Sequence, residues 1–145
     1  MFNLRDAREY EGYSMSQLAN KLNKSKSAYA RWESEKDIIP LVHLVSLANI
    51  YQLNIDFLIG LTDKRIKVSS LRELDRNIIS TNLKKVRKDQ SQKSFAKEFH
   101  VANSTISRYE NQQLLISTSC LLDICKKKHI SVDWFLGFSN NQMIN

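Results

Sequence analysis

Apolar residues recur along this chain at three- and four-residue intervals, the spacing that gives a helix one buried stripe. Leu4 and Ala7 share a face behind Asn3, a candidate cap, and Gly12 supplies a stop. Ser14, with Gln17 three residues on, has the capping-box pattern and opens a helix with Leu18, Ala19 and Leu22 inside. After a break at Asn23–Lys24, Ser25 is placed to cap a third helix. That helix buries Tyr29 and Trp32 and exposes Lys26, Ser27, Ala30 and Arg31. A loop over 34–39 follows. Pro40 then opens a fourth helix with Leu44, Leu47, Ala48 and Tyr51 at core spacing. Asn54 or Asp56 caps a last short turn that ends at Gly60.

The pattern is then written again. A shift of 77 residues lays Ser14–Gly60 on Ser91–Gly137 without a gap, and nine of the aligned pairs are identical. The apolar positions match better than the identities do: Leu18 with Phe95, Leu22 with Phe99, Trp32 with Tyr109, Leu47 with Ile124. Ile79, Leu83 and Val86 mark the first helix of the second copy, and Ser91 caps its second. Its third helix buries Ile106 and Tyr109 and exposes Asn103, Ser104, Ser107 and Arg108. Its fourth carries Leu121, Leu122, Ile124 and Cys125. The first loop of this copy is two residues shorter. Each copy is about 60–65 residues, enough for one hydrophobic core. The expectation is an all-α chain of two tandem five-helix domains, 1–63 and 75–140. They are joined by a basic linker, 64–74, in which Leu71, Leu74 and Ile78 at helical spacing suggest a helical or docked part.

Composition changes the picture in two places. Three Gly and one Pro among 145 residues argue against a turn-rich all-β chain. The net charge of +7 is unevenly spread: residues 1–63 carry seven Lys/Arg against eight Asp/Glu, residues 64–74 four against one, and residues 75–145 eleven against six. A basic chain with no apolar run near the roughly 18 residues of a membrane span suggests a polyanion partner, nucleic acid first, and no membrane. The first residues lack the basic and apolar regions of a signal peptide, so a cytoplasmic location is expected. Cys120 and Cys125 stand five apart on one helix and face different ways, so reduced thiols are expected rather than a disulfide. His43, His100 and His129 share no ligand spacing with them, so no metal site is expected. With no Gly-rich phosphate loop, nucleophile elbow or carboxylate pair, the sequence points to neither an enzyme nor a cofactor.

The stretch SQKSFAKEFHVANSTISRYEN, Ser91–Asn111, resembles the lambda-repressor/Cro-like helix-turn-helix family, also called the XRE family. SMSQLANKLNKSKSAYARWES, Ser14–Ser34, looks like a more diverged member. The Ser cap, the Ala step, the Arg-aromatic-Glu triplet and the closing Asp-aromatic-hydrophobic-x-Gly recur in order, twice. The resemblance implies two lambda-repressor-like domains that read double-stranded DNA in the major groove with the third helix, as a transcriptional regulator and most simply a repressor that occupies its operator. Onto matching positions it places DNA contacts at Gln92, Lys93, Asn103, Ser104, Thr105, Ser107 and Arg108 of the second copy, and at Lys26, Ser27 and Arg31 of the first. Asn suits adenine and Arg suits guanine, while Met15 replaces Gln92 in the first copy and offers no donor. It also implies structural pairs Arg8–Glu33 and Arg87–Glu110. Asn23 and His100 stand in the turn, where Gly is common in the family; both residue types tolerate the left-handed conformation. Trp32, Tyr109 and Trp134 are expected in the core, and Lys126–Lys128 at a solvated helix end.

Three readings follow. Both copies read DNA, as a homodimer in the family's manner or with one chain acting as a covalent pseudo-dimer. Alternatively, only the second copy reads DNA and the first, with net charge −1 and Met15, mediates association. The third is a protein-binding inhibitor or antitoxin-like partner that uses the fold for protein interaction.

Overall fold

Ser14 Oγ accepts from the backbone N–H of Gln17 at 3.1 Å, and Gln17 Oε1 accepts from the N–H of Ser14 at 2.8 Å. This closed capping box starts one of ten helices in the computed structural model, which describes residues 1–144. The chain divides into two units, Met1–Arg72 and Glu73–Ile144. The first holds α1 (Leu4–Glu11), α2 (Met15–Lys21), α3 (Lys26–Glu33), α4 (Leu41–Tyr51) and α5 (Ile55–Leu58). The second holds α6 (Arg76–Arg87), α7 (Gln92–Glu98), α8 (Asn103–Glu110), α9 (Thr118–Lys128) and α10 (Val132–Phe135). No run of β-strand forms among the described residues, only the isolated bridges Leu53–Lys67 and Ile130–Met143.

Local chemistry explains most of the boundaries. Ser25 caps α3 through the N–H of Ala28, Ser91 caps α7 through Ser94, and Ser117 caps α9 through Cys120. Gly12 ends α1 at φ 80°. Asn23 and His100 take φ 55° and 58°, and this left-handed step turns the chain from α2 into α3 and from α7 into α8. The following N–H groups, of Lys24 and Val101, return to the carbonyls of Ala19 and Ala96. Gly60 is at φ 78° with the Met1 carbonyl where a Cβ would stand, so only glycine fits.

The core of the first unit is Leu4, Leu18, Tyr29, Ile39, Leu44, Leu47 and Leu58, all essentially inaccessible. In the second unit Leu83, Phe95, Ile106, Ile116, Ile124 and Phe135 fill that role. Another set of places is filled by different chemistry. In the first unit Lys21 Nζ lies 5.9 Å from the Tyr13 ring, which is 6.0 Å from Tyr51. In the second unit the aligned residues are Glu98, Gln90 and Lys128: Gln90 donates to Glu98 at 3.0 Å and Lys128 pairs with Glu98 at 3.5 Å.

Some expectations are corrected. Asn3 makes no side-chain cap; its amide donates to the Phe57 carbonyl at 2.8 Å and ties α1 to α5. Pro40 stands one residue before α4. Trp134 is half-buried, whereas Phe57, in the aligned place of the first copy, is buried; an indole is large and seldom fully covered. Of the two alternatives for the linker, helical or docked, residues 64–72 take the docked one and form no helix. The N–H of Asn54 donates to Ile66 O, that of Val68 to Gln52 O, and the Asn54 amide binds Lys64 O and the N–H of Ile66. Arg72, 6% exposed, donates to the carbonyls of Ala48 at 2.7 Å and Leu53 at 2.8 Å. Leu71 points outward. The strap therefore belongs to the first unit, which as folded carries eleven Lys/Arg against eight Asp/Glu, net +3. In the second unit the N–H of Ser131 donates to Gln142 O in the same way.

Candidate nucleic-acid interface

In each unit two ionic hydrogen bonds fix the third helix to the first. Arg8 Nε and Nη2 donate to Glu33 at 2.9 and 2.8 Å, and Arg8 Nη1 donates to the Tyr13 carbonyl. Arg87 Nε and Nη2 donate to Glu110 at 2.7 and 2.9 Å, and Nη1 to the Gln90 carbonyl. Both pairs named from the resemblance are present. Each guanidinium also holds the loop that leads into the next helix, so helices one, two and three are locked together. Burial works against the Glu110 carboxylate, but hydrogen bonds from Arg87 and Gln92 outweigh it and hold the carboxyl below its usual range.

With Tyr29 and Trp32 inside, α3 turns Lys26, Ser27 and Arg31 to solvent. With Ile106, Tyr109 and Glu110 inside, α8 exposes Asn103, Ser104 and Arg108 and leaves Thr105 and Ser107 half-buried. Lys93 is exposed at the start of α7. Gln92 is half-buried, and its amide donates to Glu110 Oε1 at 3.0 Å, so it is anchored rather than free. Met15 occupies the corresponding place beside Glu33, in a shallow depression of about 480 Å³ also lined by Arg5, Arg8 and Arg31.

The two arginines of these faces differ. Arg31 is engaged by Asp37, which accepts from Nε at 2.6 Å and from Nη2 at 3.1 Å. Arg108 makes no ion pair among the described residues. Asp37 escapes sequence reasoning. Its approach depends on a left-handed residue, Glu35 at φ 62°, that no composition signal announces. Each face thus gathers hydrogen-bond donors, acceptors and a guanidinium on a rigid helix, the equipment needed to pair with base edges and phosphates. Elsewhere, Cys120 and Cys125 are buried and form no disulfide; burial and the nearby Asp123 push Cys120 up to about 11. Among the described residues no helix is long and apolar enough to cross a membrane.

Residues 4–58, from the first residue of α1 to the last of α5, match the helix-turn-helix family HTH_3. That match spans the five helices of the first unit. Over 60 residues, 41% of this chain, the sequence is 42% identical to a Bacillus subtilis (strain 168) protein named "Uncharacterized HTH-type transcriptional regulator YobD". The match takes in 54% of that relative, about half its length. No solved structure gives a significant match.

Proposed function

We propose that the protein is a sequence-specific double-stranded DNA-binding transcriptional regulator, acting as a repressor by occupying its site, with a helix-turn-helix in each unit. The observation that carries this reading is the surface of the third helices. α3 and α8 each bury two aromatic or aliphatic residues and present a polar, cationic face that their own unit leaves uncovered. The family match over residues 4–58 and the name of the Bacillus relative support the same reading. For the second unit, support comes from the repeated turn at His100, the Arg87–Glu110 lock and the caps at Ser91 and Ser117. In this reading Lys26, Ser27 and Arg31, and Gln92, Lys93, Asn103, Ser104, Thr105, Ser107 and Arg108, face the DNA, with α3 and α8 in the major groove.

The net charge of the first unit does not argue against its meeting DNA, since the strap makes it +3. One observation favours a second role for that unit, in association: Ile38, Val42 and Leu71 are all exposed. Selection of bound duplexes from a random library tests the proposal directly. Two distinct half-sites support two reading heads. A single half-site restricts reading to one unit. Binding with no preferred sequence, or none that weakens with salt, overturns the reading in favour of a protein-binding role.

A further inference from the structure

The turn after the third helix is the same in both units, but it delivers different side chains. Glu35 and Gln112 take φ 62° and 64°. The N–H of Asp37 then donates to the Arg31 carbonyl at 3.2 Å, and that of Leu114 to the Arg108 carbonyl at 3.3 Å. A carboxylate therefore reaches the Arg31 guanidinium, whereas an exposed leucine stands in the aligned place beside Arg108. Asp37 takes one edge of that guanidinium, Nε and Nη2. The opposite edge, Nη1 with the second N–H of Nη2, stays open, and it has the two-donor geometry that fits O6 and N7 of guanine. Arg31 is half exposed, so its long side chain would otherwise lose rotamer freedom on binding a base.

We propose that Asp37 is a positioning residue that holds the terminal edge of Arg31 toward guanine and so sets the base preference of the first unit. The proposal rests on the reading above, that α3 meets base edges. It also carries a cost: a carboxylate beside a polyanion weakens sequence-independent attraction. Asp37 thereby exchanges general affinity for selectivity, and the second unit, with Leu114, does not.

The test uses the full chain and the duplex selected from a random library, together with its variants at each base pair and an unrelated duplex. Asp37→Asn and Asp37→Ala are compared with Arg31→Ala. The expected result for Asp37→Ala is a roughly tenfold loss of preference for guanine at one base pair, the same pair that Arg31→Ala affects. Affinity for the unrelated duplex stays equal or rises. Asp37→Asn falls between. Should both Asp37 variants leave the preference intact while Arg31→Ala abolishes it, the proposal fails and the reading stands. A gain in preference as well as affinity would make the pair a lock, which also overturns it. If Arg31→Ala changes nothing at any base pair, α3 does not read bases, and the reading of the first unit falls together with the proposal.

Discussion

Gln92 and Glu110 are joined by a hydrogen bond of 3.0 Å, from the amide nitrogen at the start of α7 to the carboxylate at the end of α8. That carboxylate also takes both donors of Arg87. The bond settles which way the amide faces: its oxygen and second N–H point away from the carboxylate. The residue that the resemblance offers as a DNA contact is thus also part of a three-residue lock spanning α6, α7 and α8. In the first unit Met15 replaces it, and Glu33 is shared by Arg8 alone among these groups.

Glu110 is 3% exposed and its removal strands Arg87, so Glu110→Ala is expected to destabilise the second unit by about 3–5 kcal/mol. Trp134 is the only tryptophan of that unit, and in a Trp32→Phe background its fluorescence reports urea unfolding there. A loss below about 1 kcal/mol would mean that the pair contributes little.

The pH dependence has a definite sign. The Glu110 carboxyl is held below its ordinary value of 4.5, so its ionised form is favoured in the fold. The stability this confers is fully present above about pH 4.5 and is lost as pH falls through the lower, folded value. Glu110→Gln should flatten the acid limb of the second unit's stability curve. An unchanged limb would assign acid unfolding to other carboxylates.

Lys88 lies in the loop between α6 and α7, which is no shorter than the one between α1 and α2 because α1 runs on past Arg8 while α6 stops at Arg87. It sits at φ 51°, ψ −123°, a region suited to glycine. The turn is closed by the N–H of Gln90 on the Arg87 carbonyl, so the backbone cannot relax without losing that bond. Relief of strain outweighs the extra unfolded-state entropy of glycine, and Lys88→Gly is expected to raise stability by about 1 kcal/mol. Thermal unfolding checks this; a lower midpoint contradicts it.

Arg72 holds the strap. Arg72→Met keeps the length but leaves the Ala48 and Leu53 carbonyls without their charged donor, at a cost of about 3 kcal/mol. Amide exchange at Ile66 and Val68, whose N–H groups bind Asn54 Oδ1 and Gln52 O, should accelerate before that of α4. Unchanged protection at both amides would show that the strap holds without Arg72.

What is legible in the sequence is what local spacing encodes. Ser14 and Gln17 are three apart and bond each other, and the stripe Leu18, Ala19, Leu22 fixes which face of α2 goes inside. Arg8–Glu33 follows only from a resemblance, since 25 residues separate the two and no periodicity links them. The strap reads as linker because Lys, Arg and Ser look solvated, whereas it is held by the side-chain amides of Asn49 and Asn54 on its backbone and by Arg72 on the carbonyls of Ala48 and Leu53, pairings that follow no periodicity. Asp37 is hidden for a similar reason: its meeting with Arg31 is set by a left-handed Glu35.

The second unit offers the clearest test of base reading. Asn103 opens α8 and is exposed, and Arg108 lies five residues later with its guanidinium unpaired among the described residues. Neither contributes to the core, so Asn103→Ala and Arg108→Ala should leave the unfolding midpoint unchanged. Each should cost about 1–3 kcal/mol of binding to the selected duplex and relax preference at one base pair. Lys84, Lys85 and Lys93 are exposed cations outside α8. Their replacement by Ala should weaken binding to all duplexes alike and reduce the salt slope by about 0.9 for each phosphate left without its cation. Gln92→Ala should weaken binding with less change in preference, because it removes an anchored amide and leaves the Arg87–Glu110 pair intact. If Arg108→Ala and Asn103→Ala behave like the lysine variants, α8 meets only the phosphate backbone and the selectivity of the protein lies elsewhere.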